Sequence, residues 1–163
     1  MAGLIAVAID GSPAGHSALA LAARQAKLSG ASVVILCSID AAYSLGHRGA
    51  MSSEDETEYP AAADEEQALR KIVADACTFL QAESLSTTCE FLVGHPAQQI
   101  VETAHRLRAE MIVMGHRHLS WFGRMLHPSI CWDVLEYADC PVLVSMTNDP
   151  RGYEDIDRTH GRT

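Results

Sequence analysis

The sequence predicts a single α/β domain, built on one doubly wound, five-stranded and mostly parallel sheet with helices on both faces. Short runs of consecutive apolar residues recur along the chain, and such runs are typical of strands that are buried on both faces. Segments with apolar residues at helical spacing lie between these runs. Their alternation favours parallel strands that are joined by helical crossovers.

The first strand is predicted at residues 4–9, where the sequence is continuously apolar. A helix follows, because Ser12 can cap its start and Pro13 suits its first position. Gly30 can end this helix in the left-handed conformation. The apolar stripe of the helix comprises Ala18, Leu21, Ala22 and Leu28.

A second strand is predicted at 31–37 and a third at 87–93, both as apolar runs. The intervening segment 41–60 has no clear period and opens an acidic stretch at 54–66 that contains no Lys or Arg. We expect 41–60 to be a flexible acidic loop. The helix that follows it has one apolar face, formed by Leu69, Ile72, Val73, Ala76 and Leu80.

Strands and helices continue to alternate in the last third of the domain. A third helix is predicted after Pro96, with a stripe formed by Ala97, Ile100, Val101, Ala104 and Leu107. A fourth strand is expected at 111–114, a short helix at 129–138 and a fifth strand at 142–145. We expect the domain to span 1–147 and the polar tail 148–163 to be disordered.

Composition excludes several classes of protein. A net charge of −9 argues against general nucleic-acid binding, which needs a basic face. No run of 18 apolar residues occurs, so no membrane span is predicted, and the start of the chain lacks the basic region of a signal peptide. The five cysteines are widely spaced and include no CxxC, which favours free thiols in a reducing cytoplasm.

Four segments, taken in order, resemble the universal stress protein (UspA-like) family. They are VAIDGS at 7–12, GHPAQQIVETA at 94–104, AEMIVMG at 109–115 and ADCPVLVS at 138–145. The resemblance implies a Rossmann-like sheet ordered 3-2-1-4-5, as in adenine nucleotide alpha hydrolase-like folds. Strand order would then reverse between strands one and four, where ligands bind beyond the strand ends.

Nucleotide-binding members of this family carry Gly-x-x-Gly, then nine residues, then Gly-Ser or Gly-Thr. This sequence places Gly115, His118, Pro128 and Ser129 at the four motif positions. His118 carries a Cβ that would penalise a left-handed backbone by roughly 1–2 kcal/mol, and Pro128 has no N–H. Because a hydrogen bond to a charged group contributes about 1.5–3 kcal/mol, ATP binding should weaken by roughly 10²–10³-fold.

Two hypotheses remain for the arginines around this motif and for its final serine. Arg117, Arg124 and Ser129 could hold an anion such as AMP or ATP in place of the lost glycines, or they could belong to a solvated loop. His116 and His118 are two residues apart, but no carboxylate or Cys lies at a familiar zinc spacing, so no metal site is predicted.

Three residues elsewhere match the adenosine side of the family's site. Asp10 matches an acid that lies in the adenosine pocket of nucleotide-binding relatives, and Ser12 follows it. Ser38 ends the second strand, where relatives contact adenine through the main chain. The alternative is that Asp10 and Ser12 only turn the chain and start the helix.

The sequence contains no GxSxG, GxxxxGK[ST] or HExxH motif, so no catalytic residue is predicted. The resemblance leaves weak ATP hydrolysis as the only enzymatic candidate. We therefore expect a non-catalytic, dimeric stress-response module with a degraded ATP-binding motif. The alternative is a nucleotide- or anion-binding switch that retains AMP or ATP.

The resemblance places the last strand at a sheet edge. Val142, Leu143 and Val144 are apolar, and no lysine protects them from pairing with another chain. Pairing across a two-fold axis would satisfy this edge, so a homodimer through the last strand is predicted. The alternative is that the polar tail covers the edge.

Overall fold

The computed structural model of the protein describes residues 2–39, 60–116 and 130–146, without the side chains of 39 and 60–66. Strands and helices alternate through these ranges, as the sequence predicts. Their bounds are β1 Leu4–Ile9, α1 Pro13–Ser29, β2 Ser32–Ile39, α2 Pro60–Ala82, β3 Thr87–Val93, α3 Pro96–Leu107, β4 Met111–His116, α4 Ile130–Tyr137 and β5 Val142–Met146.

The strands form one parallel sheet in the order β3-β2-β1-β4-β5. The chain adds β2 and β3 on one side of β1 and then returns to place β4 on the other side. The reversal of strand order therefore falls between β1 and β4, where Ala8 lies opposite Met114. The predicted fold class and sheet order are confirmed.

Two apolar layers cover the sheet, one on each face. Alternate residues of each strand enter different layers, so Ile35 packs with α1 and α2 while Leu36 packs with α3 and α4. Since both faces of the central strands are buried, their sequences are continuously apolar rather than alternating.

Both ends of α1 follow the sequence prediction. Ser12 caps the helix by accepting a hydrogen bond from the Gly15 N–H at 3.2 Å, and Gly30 ends it with a φ of 72°. The prediction that Leu28 belongs to the buried stripe is wrong, because its side chain is 77% exposed. The buried stripe instead contains mostly small residues: Ala14, Gly15, Ala18, Leu19, Ala22, Ala23 and Ala26.

The strands β1 and β3 have the predicted bounds, and the other strands and the helix α4 differ from the prediction by one or two residues at one or both ends. The strand β2 is shifted toward the C-terminus relative to 31–37, and β4 continues through Gly115 to His116. The predicted tail 148–163 and nearly all of the predicted acidic loop 41–60 lie outside the described residues. Across the described ranges, no helix combines the length and apolarity that crossing a membrane requires.

Candidate functional site

The carboxyl ends of β1 and β4 bring the first group of predicted site residues together. Asp10 and Ser12 follow β1 directly, and Gly115 lies next to the last residue of β4. Since β1 and β4 are parallel neighbours, these residues lie at one edge of the sheet, at the point where strand order reverses. Open α/β sheets bind their ligands at this position.

Gly115 lies directly against the first turn of α1. A Cβ added at Gly115 would lie 2.5 Å from the Ala14 carbonyl carbon and 2.7 Å from the Ala14 Cβ, and it would also meet the Ala14 carbonyl oxygen. Real Cβ atoms essentially never approach other atoms this closely. The glycine therefore has a packing role in addition to the motif position that the sequence analysis assigns to it.

The turn between β1 and α1 is built from Asp10, Gly11 and Ser12. Gly11 adopts a φ of 77°, which favours glycine. A Cβ there would lie 2.5 Å from the Cδ1 atom of Ile72 in α2, so the end of that side chain would have to move. The Asp10 carboxylate accepts hydrogen bonds from the Ser12 backbone N–H, at 3.0 Å, and from the Ser12 hydroxyl. The turn thus fixes the orientation of an exposed carboxylate.

The hydrogen bonds within this turn limit the ligand groups that can bind at the start of α1. The Ser12 side chain takes up the Gly15 N–H, and Pro13 has no N–H to offer. A carboxylate beside a capped helix start disfavours a phosphate through like charge, whereas it readily accepts hydrogen bonds from a hydroxyl or an amino group. The turn after β1 therefore suits the base or the sugar of a nucleotide better than its phosphates.

Ser38 lies on the adjoining strand end, in β2. Ser38 pairs in register with Leu92 of β3. The Ser38 Oγ is buried and has no hydrogen-bond partner among the described residues. A buried hydroxyl without a partner costs about 1–3 kcal/mol, so such atoms normally meet a protein group, a water molecule or a ligand. The sequence assigns only the main chain of Ser38 a role and gives no signal for this hydroxyl.

A buried thiol precedes Ser38 in β2. Cys37 lies opposite Ile9 in the sheet. Burial, with smaller contributions from the negative charges of Asp10 and Cys89, raises the pKa of the Cys37 thiol to about 11. Asp10 directly follows Ile9, the register partner of Cys37, so the carboxylate follows the strand next to β2.

The structure thus gathers four of the predicted site residues at one edge of the sheet: Asp10, Ser12, Ser38 and Gly115. The others lie outside the described residues, namely Arg117, His118, Arg124, Pro128 and Ser129. The assignment of these residues to a phosphate or anion site stays a prediction from the sequence.

Comparisons with known proteins agree with this fold. The chain is 29% identical over 79 residues to the stress response protein NhaX of Bacillus subtilis, and the aligned part is 48% of each chain. The chain thus spans about half the length of this curated relative.

Solved structures match over a longer part of the chain. A universal stress protein of Archaeoglobus fulgidus in complex with dAMP is 25% identical, with a TM-score of 0.60 over 87% of this chain and 96% of that chain. A universal stress protein in complex with cAMP is 23% identical, with a TM-score of 0.67 over 88% of this chain and 96% of that chain.

The family model described as the universal stress protein family matches residues 1–145. These residues contain every strand and helix described above except the last residue of β5. The chain belongs to the universal stress protein family.

Proposed function

We propose that this chain is a non-catalytic regulatory module of the stress response, whose site keeps the adenosine side of a nucleotide pocket but has a degraded phosphate cradle. One observation carries the proposal: the buried Ser38 hydroxyl lacks a partner among the described residues, at the end of the strand that neighbours β1, which Asp10 follows. The ligand class would be an adenosine monophosphate, bound mainly through its nucleoside.

The chemistry of the described edge supports a nucleoside. Asp10 offers carboxylate oxygens to ribose hydroxyls or an exocyclic amino group, and Ser38 offers one hydroxyl that both donates and accepts. The solved relatives carry dAMP, a monophosphate of deoxyadenosine, and cAMP, a cyclic monophosphate of adenosine. Neither ligand needs a cradle for a triphosphate, so loss of that cradle leaves this class of ligand open.

The motif residues support the loss of the triphosphate. Pro128 cannot donate a backbone hydrogen bond, and His118 disfavours the left-handed backbone that a glycine adopts freely. Weak ATP hydrolysis would need the γ-phosphate to be held for attack by water. We therefore expect no ATP turnover above background.

Replacing Ser38 by alanine tests the adenosine side. We expect Ser38→Ala to weaken AMP binding by about 2–10-fold, the effect of losing one hydrogen bond. The same change should leave the unliganded protein equally stable or more stable, because it removes a buried hydroxyl that lacks a partner. Isothermal titration calorimetry with AMP and thermal unfolding without nucleotide measure the two effects.

Ser32→Ala is the matched control for this experiment. Ser32 lies at the opposite end of the same strand and is also half-buried, so its loss should leave AMP affinity unchanged. If Ser38→Ala destabilised the unliganded protein without changing AMP affinity, the hydroxyl would serve internal packing and the proposal would lose its main support. Absence of AMP binding to the wild-type protein would remove the nucleotide part altogether.

A switch that retains ATP through side-chain cations is the second candidate. It is favoured by the presence of Arg117 and Arg124 in an otherwise acidic chain, because a guanidinium can grip a phosphate with two parallel hydrogen bonds. This candidate differs from the first in one respect: ATP would bind more tightly than AMP.

The edge strand β5 supports a homodimer. It is the last strand of the sheet, residues Val142 to Ser145 are only half-buried, and Met146 is 55% exposed. An apolar edge with open hydrogen-bonding groups tends to pair with another chain. We propose that two copies pair through Val142, Leu143 and Val144 around a two-fold axis.

A lysine at the end of β5 tests the dimer. We expect Met146→Lys to raise the dimer dissociation constant by at least about tenfold, because a charge would enter the apolar strand that pairs with the other copy and apolar contact would be lost. Analytical ultracentrifugation over a concentration series measures this. Leu28→Lys, at an exposed leucine on α1, is the matched control and should have no effect. A wild-type protein that stays monomeric at every concentration would contradict the proposal.

A further inference from the structure

Two cysteines lie on one face of the sheet, outside the candidate nucleotide site. Cys77 lies in the last third of α2, and Cys89 lies in the edge strand β3. The side chains of β3 alternate between the faces of the sheet. Leu92 packs in the layer of α3 and α4, and Glu90 pairs with Arg106 of α3. Cys89 therefore points to the other face, which α2 covers.

The two thiols lie beside the same apolar layer. Cys89 pairs in register with Ile35 of β2, and Cys77 packs against the layer to which Ile35 belongs. Cys89 is exposed, whereas Cys77 is half-buried against the apolar layer of α1 and α2. One partner is thus open to a dissolved reagent, and the second is held beside it by the packing of the helix.

We propose that Cys77 and Cys89 form an oxidative modification site, at which a peroxide converts the two thiols into a disulfide between α2 and β3. The proposal rests on the placement of these thiols alone and is independent of nucleotide binding. All five cysteines are free thiols in the structure. A disulfide in a reducing compartment would be transient and would report oxidative conditions.

The reaction proceeds in two steps. The exposed Cys89 thiolate attacks one peroxide oxygen, the O–O bond breaks, and a sulfenic acid forms while the departing hydroxide takes a proton to become water. The Cys77 thiolate then attacks the Cys89 sulfur, the S–O bond breaks, and a second water leaves. Two thiols lose two electrons in total, and one hydrogen peroxide is reduced to two waters.

Burial assigns the order of these steps. Desolvation, followed by the nearby Cys89, raises the pKa of the Cys77 thiol, so little Cys77 thiolate is present at neutral pH. Cys77 is therefore a poor first target for peroxide. It needs only to attack a sulfenic acid that forms on the same face of the sheet, under α2.

The remaining cysteines are less suited to react. Cys37 is buried, and burial is the main cause that raises the pKa of its thiol to about 11. Cys131 and Cys140 lie in the layer on the opposite face of the sheet, and burial raises the pKa of both thiols. The pair of Cys77 and Cys89 is thus distinguished by combining placement beside one apolar layer with access for an oxidant at Cys89.

Stoichiometric hydrogen peroxide, added to the reduced full-length protein, tests the proposal. We expect a monomer that has lost two hydrogen atoms in its intact mass, with a peptide crosslink between Cys77 and Cys89 that dithiothreitol reverses. Cys89→Ser should abolish this product without disturbing packing, since the side chain is exposed. Cys77→Ser should instead leave a Cys89 sulfenic acid that a dimedone probe traps.

Cys140→Ser is the matched control, because Cys140 is half-buried like Cys77 but lies on the other face. It should form the disulfide at the wild-type rate. The proposal is contradicted if the crosslink maps to another pair of cysteines, if oxidation joins two chains through Cys89, or if Cys89→Ser forms the same monomeric product as the wild type.

Discussion

Replacing His118 and Pro128 together by glycine is expected to raise the affinity for ATP by roughly 10²–10³-fold. The change at Pro128 restores a backbone N–H that can donate to a phosphate oxygen. The change at His118 removes the Cβ that penalises a left-handed backbone. Isothermal titration calorimetry with ATP, at matched pH and salt, measures the gain.

Alanine at the same two positions separates these contributions. Alanine at Pro128 also restores the N–H, whereas alanine at His118 keeps the Cβ. We therefore expect His118→Ala with Pro128→Ala to gain less ATP affinity than the glycine pair, by the roughly 1–2 kcal/mol of the left-handed penalty. Equal affinity in the wild type and the glycine variant would show that these two residues do not limit ATP binding.

A methyl group at Gly115 is expected to destabilise the fold by roughly 1–3 kcal/mol, the usual cost of overpacking. In Gly115→Ala the new Cβ would lie 2.5 Å from the Ala14 carbonyl carbon, so either β4 or the first turn of α1 must move. The melting temperature should fall by about 2–4 °C for each kcal/mol in a chain of this length. Thermal unfolding without nucleotide measures the change.

The control for this variant is a second substitution in α1. Since the closest contacts of the added Cβ are with the backbone of Ala14, Ala14→Gly should not rescue Gly115→Ala. Recovery of stability in the double variant would assign the clash to the Ala14 side chain instead. An unchanged melting temperature in Gly115→Ala would show that the close approach of α1 to β4 is not structurally required.

The elements of this fold could be predicted because their signals are local. Ser12, Pro13 and Gly30 mark the ends of α1 by side-chain and backbone preferences that act within a few residues. The stripe of Ile100 and Ala104 in α3 follows from helical periodicity and is buried as predicted. Leu28 fits the same kind of stripe but lies at the end of α1, where no layer covers it.

The relations that define the site are not local, and a single sequence does not contain them. The contact of Gly115 with Ala14 depends on how closely α1 approaches β4. Outside the site, the placement of Cys77 and Cys89 on one face depends likewise on how α2 packs against β3. The unpartnered hydroxyl of Ser38 follows from what surrounds it in space. Family resemblance predicted that Asp10 and Gly115 would lie at the ends of two neighbouring strands. It did not indicate which atoms these residues contact.

The wild-type titrations of ATP and AMP, run side by side by calorimetry, test the central claim most directly. That claim is that the site recognises adenosine while its phosphate cradle is degraded. We predict that AMP binds, that ATP binds no more tightly than AMP, and that the recovered ATP is not hydrolysed above background. Micromolar ATP binding that is at least about tenfold tighter than AMP binding, a difference of about 1.4 kcal/mol, would contradict it.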